Sequence, residues 1–316
     1  MKQAEAPPDA KWTGPSHAGV KAPDPILLPD AAKRFVATAR RLEHLASGHP
    51  MDAWLRFMAN LARAQHAVAT TLAPAATLGT DVVAQATEAR LPPLAADGHR
   101  RDASWREGLA MLLDHIDPSD LPPAALDAMA QLQRSDAATL DTLADHFLRG
   151  VLATTEAGVA MFVAAALQVY FTGSAARLKA EDLRLLEERA LCPCCGSPSV
   201  SGLITASGIT PGTRFLYCSL CSTAWNHVRA VCITCGGTRR LSVQGIEGDP
   251  GLIKAETCDE CHTYAKLLYQ VQDMQVDPYA DDLASLGLDL LVTEAGFARH
   301  APNPLLLVGD GEVVID

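Results

Sequence analysis

Four Cys-x-x-Cys pairs stand in this 316-residue sequence: Cys192/Cys195, Cys218/Cys221, Cys232/Cys235 and Cys258/Cys261. Twenty-two residues separate the first pair from the second, and twenty-two separate the third from the fourth. Each cysteine of the later set lies forty positions after its counterpart, and Gly196 recurs as Gly236. This is an internal duplication. Two residues between cysteines let a tight turn aim both sulfurs at one ion. Two such turns complete a tetrahedron of thiolates, and the insert is long enough for a hairpin that returns the second turn to the first. Glycine after the second cysteine relieves strain where backbone amides point at sulfur. The expected ligand sets are Cys192, Cys195, Cys218 and Cys221 for one ion, and Cys232, Cys235, Cys258 and Cys261 for another, iron or zinc.

Other cysteine chemistries fit less well. A disulfide frame needs an oxidising compartment, and nothing in the sequence signals export. Thioredoxin-type pairs need a βαβ context, which the pattern lacks. Cys258-Asp259-Glu260-Cys261-His262 matches the haem-attachment form, but the duplication assigns both cysteines to a four-sulfur set. Cys194 has no partner in the repeat and reads as a bystander beside the site. His227 and His262 are surface or packing residues, since the sulfur sets are complete without them. Arg214, Arg229, Arg239 and Arg240 lie within the ribbons, where they can offset thiolate charge or serve as ordinary surface residues.

The elements that must position these cysteines fall into two kinds. Residues 30 to 188 read as an all-helical domain of about seven helices, by periodicity. Asp30 is an N-cap, followed by Phe35, Ala39, Leu42 and Ala46 at helical spacing. A second helix is expected from Pro50, with Trp54, Met58 and Leu61 on its buried face. Pro92 and Pro93 mark a loop, and Ser104-Trp105-Arg106-Glu107 has the form of a capping box before Leu109, Leu112 and Ile116. Further helices are expected from Pro123, near Leu140–Phe147, and across 157–172 and 175–188. Helical spacing disappears from Cys192 to about residue 258. It returns at Asp281 with Leu283, Leu286 and Leu290, and Gly296 is a C-cap. Asp281 and Asp282 are expected to favour the N-terminus of that helix. The segments Leu305–Val308 and Val313–Ile315 resemble a small hairpin.

The fold class is thus α+β: a helical domain, two tandem zinc-ribbon-like modules and a C-terminal helix. The expected units are a mobile tail at 1–29 with an extended end near Ile26-Leu27-Leu28, the helical domain at 30–188, modules at 189–229 and 230–270, and the helix and tail at 271–316. The modules have few large apolar side chains, so they are expected to need metal to fold, and the helical domain is not.

Composition narrows the function. The net charge is −11, with 37 acidic against 26 basic side chains, which disfavours non-specific attraction to nucleic acid. From Cys192 to Lys266 six Lys or Arg face five Asp or Glu, no phosphate-binding surface. The first thirty residues hold six prolines and no apolar core of signal-peptide length, so the expected compartment is cytoplasmic. Twenty uncharged residues between Glu156 and Arg177 are just long enough to span a bilayer, but Gln168, Thr172, Gly173 and Ser174 dilute them. A helix at the centre of a bundle fits this pattern better than membrane insertion. No nucleophile–base arrangement and no phosphate-binding glycine loop is evident, so the chain reads as a non-enzyme.

The sequence resembles the FdhE family, accessory proteins for formate dehydrogenase maturation. The resemblance is carried by Cys192-Pro-Cys-Cys195-Gly, Tyr217-Cys218-Ser-Leu-Cys221 with Trp225 and Val228-Arg229, Cys232-x-x-Cys235, and Glu256-Thr-Cys258-Asp-Glu-Cys261 with Tyr264 and Lys266. Asp277-Pro278, Asp281-Asp282-Leu-Ala-Ser-Leu-Gly-Leu-Asp289, Glu294-Ala-Gly296-Phe and Asn303-Pro304 extend it, with a weaker stretch from Ile26 to Phe57. The match is loosest from about 80 to 175. The resemblance implies rubredoxin-like metal sites in a cytoplasmic protein that engages the catalytic subunit of a respiratory formate dehydrogenase before export. A competing reading is a rubredoxin-like electron-transfer protein using two four-cysteine iron sites; zinc, having no redox chemistry, would exclude it.

Overall fold

The computed structural model describes residues 22–72, 77–119, 121–207 and 210–306. Asp30 caps the first helix, α1 (Ala31–Ala46): its carboxylate accepts from the Ala32 amide at 3.1 Å. Six more α-helices follow before the cysteines. They are α2 (Asp52–Thr71), α3 (Thr80–Glu88), α4 (Ser104–His115), α5 (Pro123–Arg134), α6 (Ala137–Arg149) and α7 (Ala157–Ala175). Phe35, Leu42, Met58, Leu61, Trp105, Leu109 and Leu112 all face the core, as their spacing requires.

Local details depart from the sequence reading. Helix α2 begins at Asp52 and not Pro50, because His49 closes a turn there, its carbonyl taking the Asp52 amide and its ring the Met51 amide. Trp54 is only partly buried, and Leu55 fills the core position instead. The capping box at Ser104 does not form. Ala103 is the N-cap residue, and Asp102 before it accepts from the Ser104 amide at 2.9 Å and also takes its hydroxyl. No helix spans 175–188. A 3-10 turn at Ala180–Asp182 leads into extended chain, whose carbonyls find tertiary partners: Thr87 donates to Asp182 and the Trp225 indole to Arg189. Helix α3 was not read from the sequence; Val83 is its one buried residue.

The segment beyond α7, joined by one strand from before α1, forms a mixed sheet. Its strands are β1 (Ile26–Leu27), β2 (Ser199–Ile204), β3 (Arg214–Cys218), β4 (Ala224–Asn226), β5 (Leu241–Gln244), β6 (Ile253–Cys258), β7 (Thr263–Tyr269) and β8 (Ala298–Arg299). The order is β1-β4-β3-β2-β7-β6-β5, with β8 beside β7. Each ribbon is an antiparallel trio, and the two join where β2 and β7 run parallel, Gly202 opposite Leu267. A Cβ at Gly202 would sit 2.8 Å from the Leu267 side chain, so glycine lets the ribbons close together. The extended end of the tail is β1, paired Ile26 to Trp225, which ties residues 22–29 to the first ribbon.

The apolar segment is α7, and it is the central helix of the core: Phe162, Val163, Leu167 and Phe171 are fully enclosed. One hydrophobic cluster joins it to α1, α2, α4 and the first cysteine set. The helical domain and first ribbon therefore share a core.

The expected C-terminal helix is broken into α8 (Ala280–Ala284) and α9 (Leu286–Glu294). Gly296 follows in a left-handed conformation, φ 92°, as a helix stop requires. Leu290 is exposed, and Leu288 and Val292 face β6 and β7 instead. The hairpin expected at 305–315 lies largely outside the described residues. Asp281 and Asp282 stand in the first turn of α8, as expected, and each also has a buried cationic partner. Asp281 forms a bidentate pair with Arg41 of α1, at 2.9 and 2.7 Å, and both are buried. Asp282 meets Lys266 at 3.3 Å and also binds Arg299 and Asn303. Burial alone would raise its pKa, but Lys266 and Arg299 hold it below the usual carboxylate range.

Breaking a buried pair strands a charge. Arg41→Met should destabilise the protein by roughly 3–5 kcal/mol, read by urea unfolding. Adding Asp281→Leu should recover most of the loss. A single variant as stable as the parent would contradict this role.

Candidate metal centres

The two cysteine turns of each ribbon arise from the same local geometry. In the first, Gly196 donates to the Cys192 carbonyl at 2.9 Å, and Cys192 donates to the Ser197 carbonyl at 2.9 Å. In the second, Gly236 donates to Cys232 at 3.1 Å, and Cys232 donates to Gly237 at 2.8 Å. Both glycines are left-handed, φ 77° and 71°, a conformation that costs other residues energy. The other turn of each ribbon carries Ser222 (φ 60°) or His262 (φ 53°) in the matching place. The forty-residue repeat is thus a repeat of backbone conformation.

These turns bring the cysteines together in the expected sets. The sulfurs of Cys192, Cys195, Cys218 and Cys221 lie within 4.8 Å of one another, and so do those of Cys232, Cys235, Cys258 and Cys261. Four sulfurs around a metal at about 2.3 Å are about 3.8 Å apart. The second set shows 3.7 Å for Cys232–Cys261 and 3.8 Å for Cys235–Cys258. The first is slightly tighter, 3.5 Å for Cys192–Cys221 and 3.4 Å for Cys195–Cys218. Amides are aimed at sulfur, as a thiolate site requires: Cys194 to Cys192 at 3.4 Å, and Leu220 and Cys221 to Cys218 at 3.3 Å. Thr234 and Cys235 amides do the same for Cys232. The donor sets fit a tetrahedral iron or zinc ion.

The surroundings of the two sets differ. All four sulfurs of the first are inside the core. Two of the polar residues that dilute α7 face this set: Gln168 donates to the Ser219 carbonyl at 2.8 Å, and Thr172 bonds the Ser222 hydroxyl at 3.1 Å. Across the site, Leu94 and Ala96 donate to the Cys194 and Cys195 carbonyls at 2.9 and 2.8 Å. In the second set Cys235 is exposed and Cys261 half-buried.

The thiol acidities follow. Burial pushes Cys192 and Cys218 well above the usual range. Burial raises Cys221 too, but hydrogen bonds from Cys192, Cys194, Cys195 and Cys218 outweigh it and hold Cys221 well below. In the second set burial pushes Cys232 up to about 12. It also acts on Cys261, yet the Thr263 hydroxyl and amide outweigh it and bring that thiol to about 7.

Neither histidine joins a site. His227 is buried and spent on Arg214, at 2.6 Å. Burial, then Arg214, lower it to about 4, so it is neutral. His262 is exposed beside Phe297. Arg214 is not charge compensation for a thiolate set. It is buried, pairs with Glu256 at 2.6 Å and binds the Val228 and Val231 carbonyls, which clamps the linker between ribbons. Arg229, Arg239 and Arg240 are exposed. Cys194 lies inside the core outside the four-sulfur group, its thiol pushed well up by contact with Cys221 and by burial. Sequence reasoning missed Thr223 and Thr263, which bond the last cysteine of each set at 3.2 and 3.1 Å. Their forty-residue offset was a usable signal.

Fold and sites together define a helical scaffold carrying two four-cysteine centres. The comparisons narrow this class to a family. Models described as FdhE, N-terminal, FdhE, central domain, and FdhE, C-terminal domain match residues 23–188, 191–229 and 230–306. An FdhE homolog from Edwardsiella ictaluri is 36% identical over 311 residues, covering 96% of this chain and 98% of its own. One from Stutzerimonas stutzeri is 36% identical over 276 residues, 87% of this chain and 90% of its own. The crystal structure of the FdhE protein from Pseudomonas aeruginosa superposes with a TM-score of 0.82 at 34% identity, covering 90% of this chain and 100% of that one. The chain belongs to the FdhE family of formate dehydrogenase accessory proteins.

The burial difference predicts the order of metal loss. With both sites loaded, a chromogenic chelator should remove one ion quickly and the other at least several-fold more slowly. Cys235→Ser should abolish the fast phase alone. Release of both ions in one phase would contradict the assignment.

Proposed function

We infer that this chain is a cytoplasmic accessory protein required for maturation of a respiratory formate dehydrogenase. It binds the catalytic subunit of that enzyme through a scaffold held by two metal ions, iron or zinc. Cys192, Cys195, Cys218 and Cys221 ligate one ion, and Cys232, Cys235, Cys258 and Cys261 the other. The chain is itself no enzyme, and neither nucleic acid nor a membrane is its partner. The observation that carries this reading is the pair of four-sulfur clusters, spaced for tetrahedral ions, in a fold shared with FdhE proteins. The acidic balance and the burial of α7 in the core support the remainder. The unit boundaries at 188/189 and 229/230 are supported by the extents of the three family models.

A second reading has its own observation. The exposed Cys235 would give an iron ion an electron-transfer edge at the surface, as a rubredoxin-like carrier needs. Zinc in the purified protein would eliminate it.

Deleting the gene should abolish formate oxidation in membranes while the catalytic subunit is still synthesised. Complementation with Cys192→Ser or Cys232→Ser should fail, because losing one thiolate opens its site. Cys194→Ala should restore activity. Full activity from both cysteine variants would remove the metal centres from the mechanism, and normal activity in the deletion strain would end the maturation reading.

A further inference from the structure

The second cysteine set carries a polar chain that extends beyond its ligands. The Cys261 sulfur lies 3.1 Å from the Thr263 hydroxyl. Thr263 donates to the Thr234 hydroxyl at 2.7 Å, and Thr234 is 2.9 Å from His300 Nδ1. His300 is fixed by its backbone: its amide donates to the Tyr264 carbonyl at 2.8 Å, continuing the pairing of β8 with β7. Its other ring nitrogen, Nε2, is buried with no hydrogen-bond partner. Burial, then Arg299, lower His300 to about 4, so the ring is neutral.

The duplication makes this chain a departure. Forty residues earlier, Cys221 and Thr223 also stand 3.2 Å apart, there with the Cys221 thiol as donor. The counterpart of Thr234 is Cys194, whose thiol contacts Cys221 within the core. The first chain stops at that sulfur. Only the second continues through two hydroxyls to an imidazole.

The donors can run in just one direction when an ion is bound. A metal-bound thiolate carries no proton and only accepts. Thr263 must then turn its one hydroxyl proton from Thr234 to Cys261, and its oxygen accepts from Thr234 in exchange. The Thr234 oxygen in turn accepts from His300 Nδ1–H. This tautomer leaves a bare lone pair at Nε2, and a buried acceptor without a partner is more tolerable than a buried N–H without one. Hydrogen bonds to ligand sulfurs orient the ligand and withdraw charge from it. They count most where burial does not hold the ligands, and Cys235 and Cys261 are the least buried of the eight.

We propose that Thr263, Thr234 and His300 are positioning residues for the second metal centre, locking a hydroxyl donor onto the Cys261 sulfur and so setting how tightly that centre holds its ion. The proposal rests on the metal reading above. Cobalt(II) tests it in the full-length protein, because each four-thiolate site gives sulfur-to-cobalt charge-transfer absorption and its affinity can be read against a competing chelator. Thr263→Val and His300→Leu should each weaken one of the two sites about ten-fold and shift its charge-transfer band. The other site should keep its affinity and spectrum, which reports that the core is intact. Thr263→Ser keeps the hydroxyl, and His300→Asn places an amide donor where Nδ1 stood; both should bind cobalt as the parent does. Unchanged affinity and spectra in Thr263→Val and His300→Leu would overturn the proposal. Equal weakening of both sites would also overturn it, as general damage to the fold. If Cys232→Ser binds as many cobalt ions as the parent, the metal reading of the second set fails, and the proposal with it.

Discussion

Placing four cysteine sulfurs inside an apolar core is the constraint on which the rest of this structure depends. With a divalent ion such a set keeps two excess negative charges, and burying charge is costly unless dipoles replace the lost water. The first centre meets the requirement with backbone amides from its own turns. Those turns must in turn be held rigid. Gln168 and Thr172 do this from α7, Arg34 from α1 by donating to Ser222, and Tyr279 by donating to the Cys218 carbonyl. Helices from one end of the chain and a segment from the other therefore converge on residues 218–222.

The second copy solves the same covalent problem without the core. Its turns are left-handed at the same positions and carry the same Thr beside the last cysteine, the geometry that two sulfurs aimed at one point require. Among the described residues no helix covers it as α7 covers the first, and Cys235 is exposed. Duplication preserved the backbone, while side chains at equivalent positions were free to diverge. Cys194 and Thr234 are one such pair: apolar burial suits the thiol, and a partly wet surface suits the hydroxyl.

Much of this was legible from spacing alone, for a physical reason. Cysteine pairs, a capping Asp30 and the apolar face of α1 are governed by local geometry, and local geometry repeats in sequence. The misreadings occurred where tertiary partners decided. Ser104-x-x-Glu107 has the right residues for a capping box, but Asp102 reached the Ser104 amide first. Leu183 and Leu186 have helical spacing, yet they are buried from an extended chain whose carbonyls are claimed by Thr87 and Trp225. Gln168 and Thr172 looked like dilution of an apolar segment; their partners lie fifty residues away. The expected independence of the helical domain from the metal region does not fit a core that contains the first cysteine set.

Adjacent acids in α8 show how the two ends of the chain are joined. Neighbouring residues on a helix point about 100° apart, so Asp281 and Asp282 cannot share a partner surface. Asp281 turns to Arg41 on α1, and Asp282 turns to Lys266 on β7 and Arg299 on β8. A five-residue helix has no stability of its own. Its position is set by these oppositely directed charges and by Leu283 beneath them. The helix thus clasps the helical domain to the sheet across the chain's whole length. Arg41 and Lys266 are almost completely buried, so neither charge has a solvated alternative if the clasp opens only partway. Each base also keeps a second acid, Arg41 with Asp273 and Lys266 with Asp289, so α8 sits in a charge network that ties the second ribbon to α1 from outside the cysteine sets.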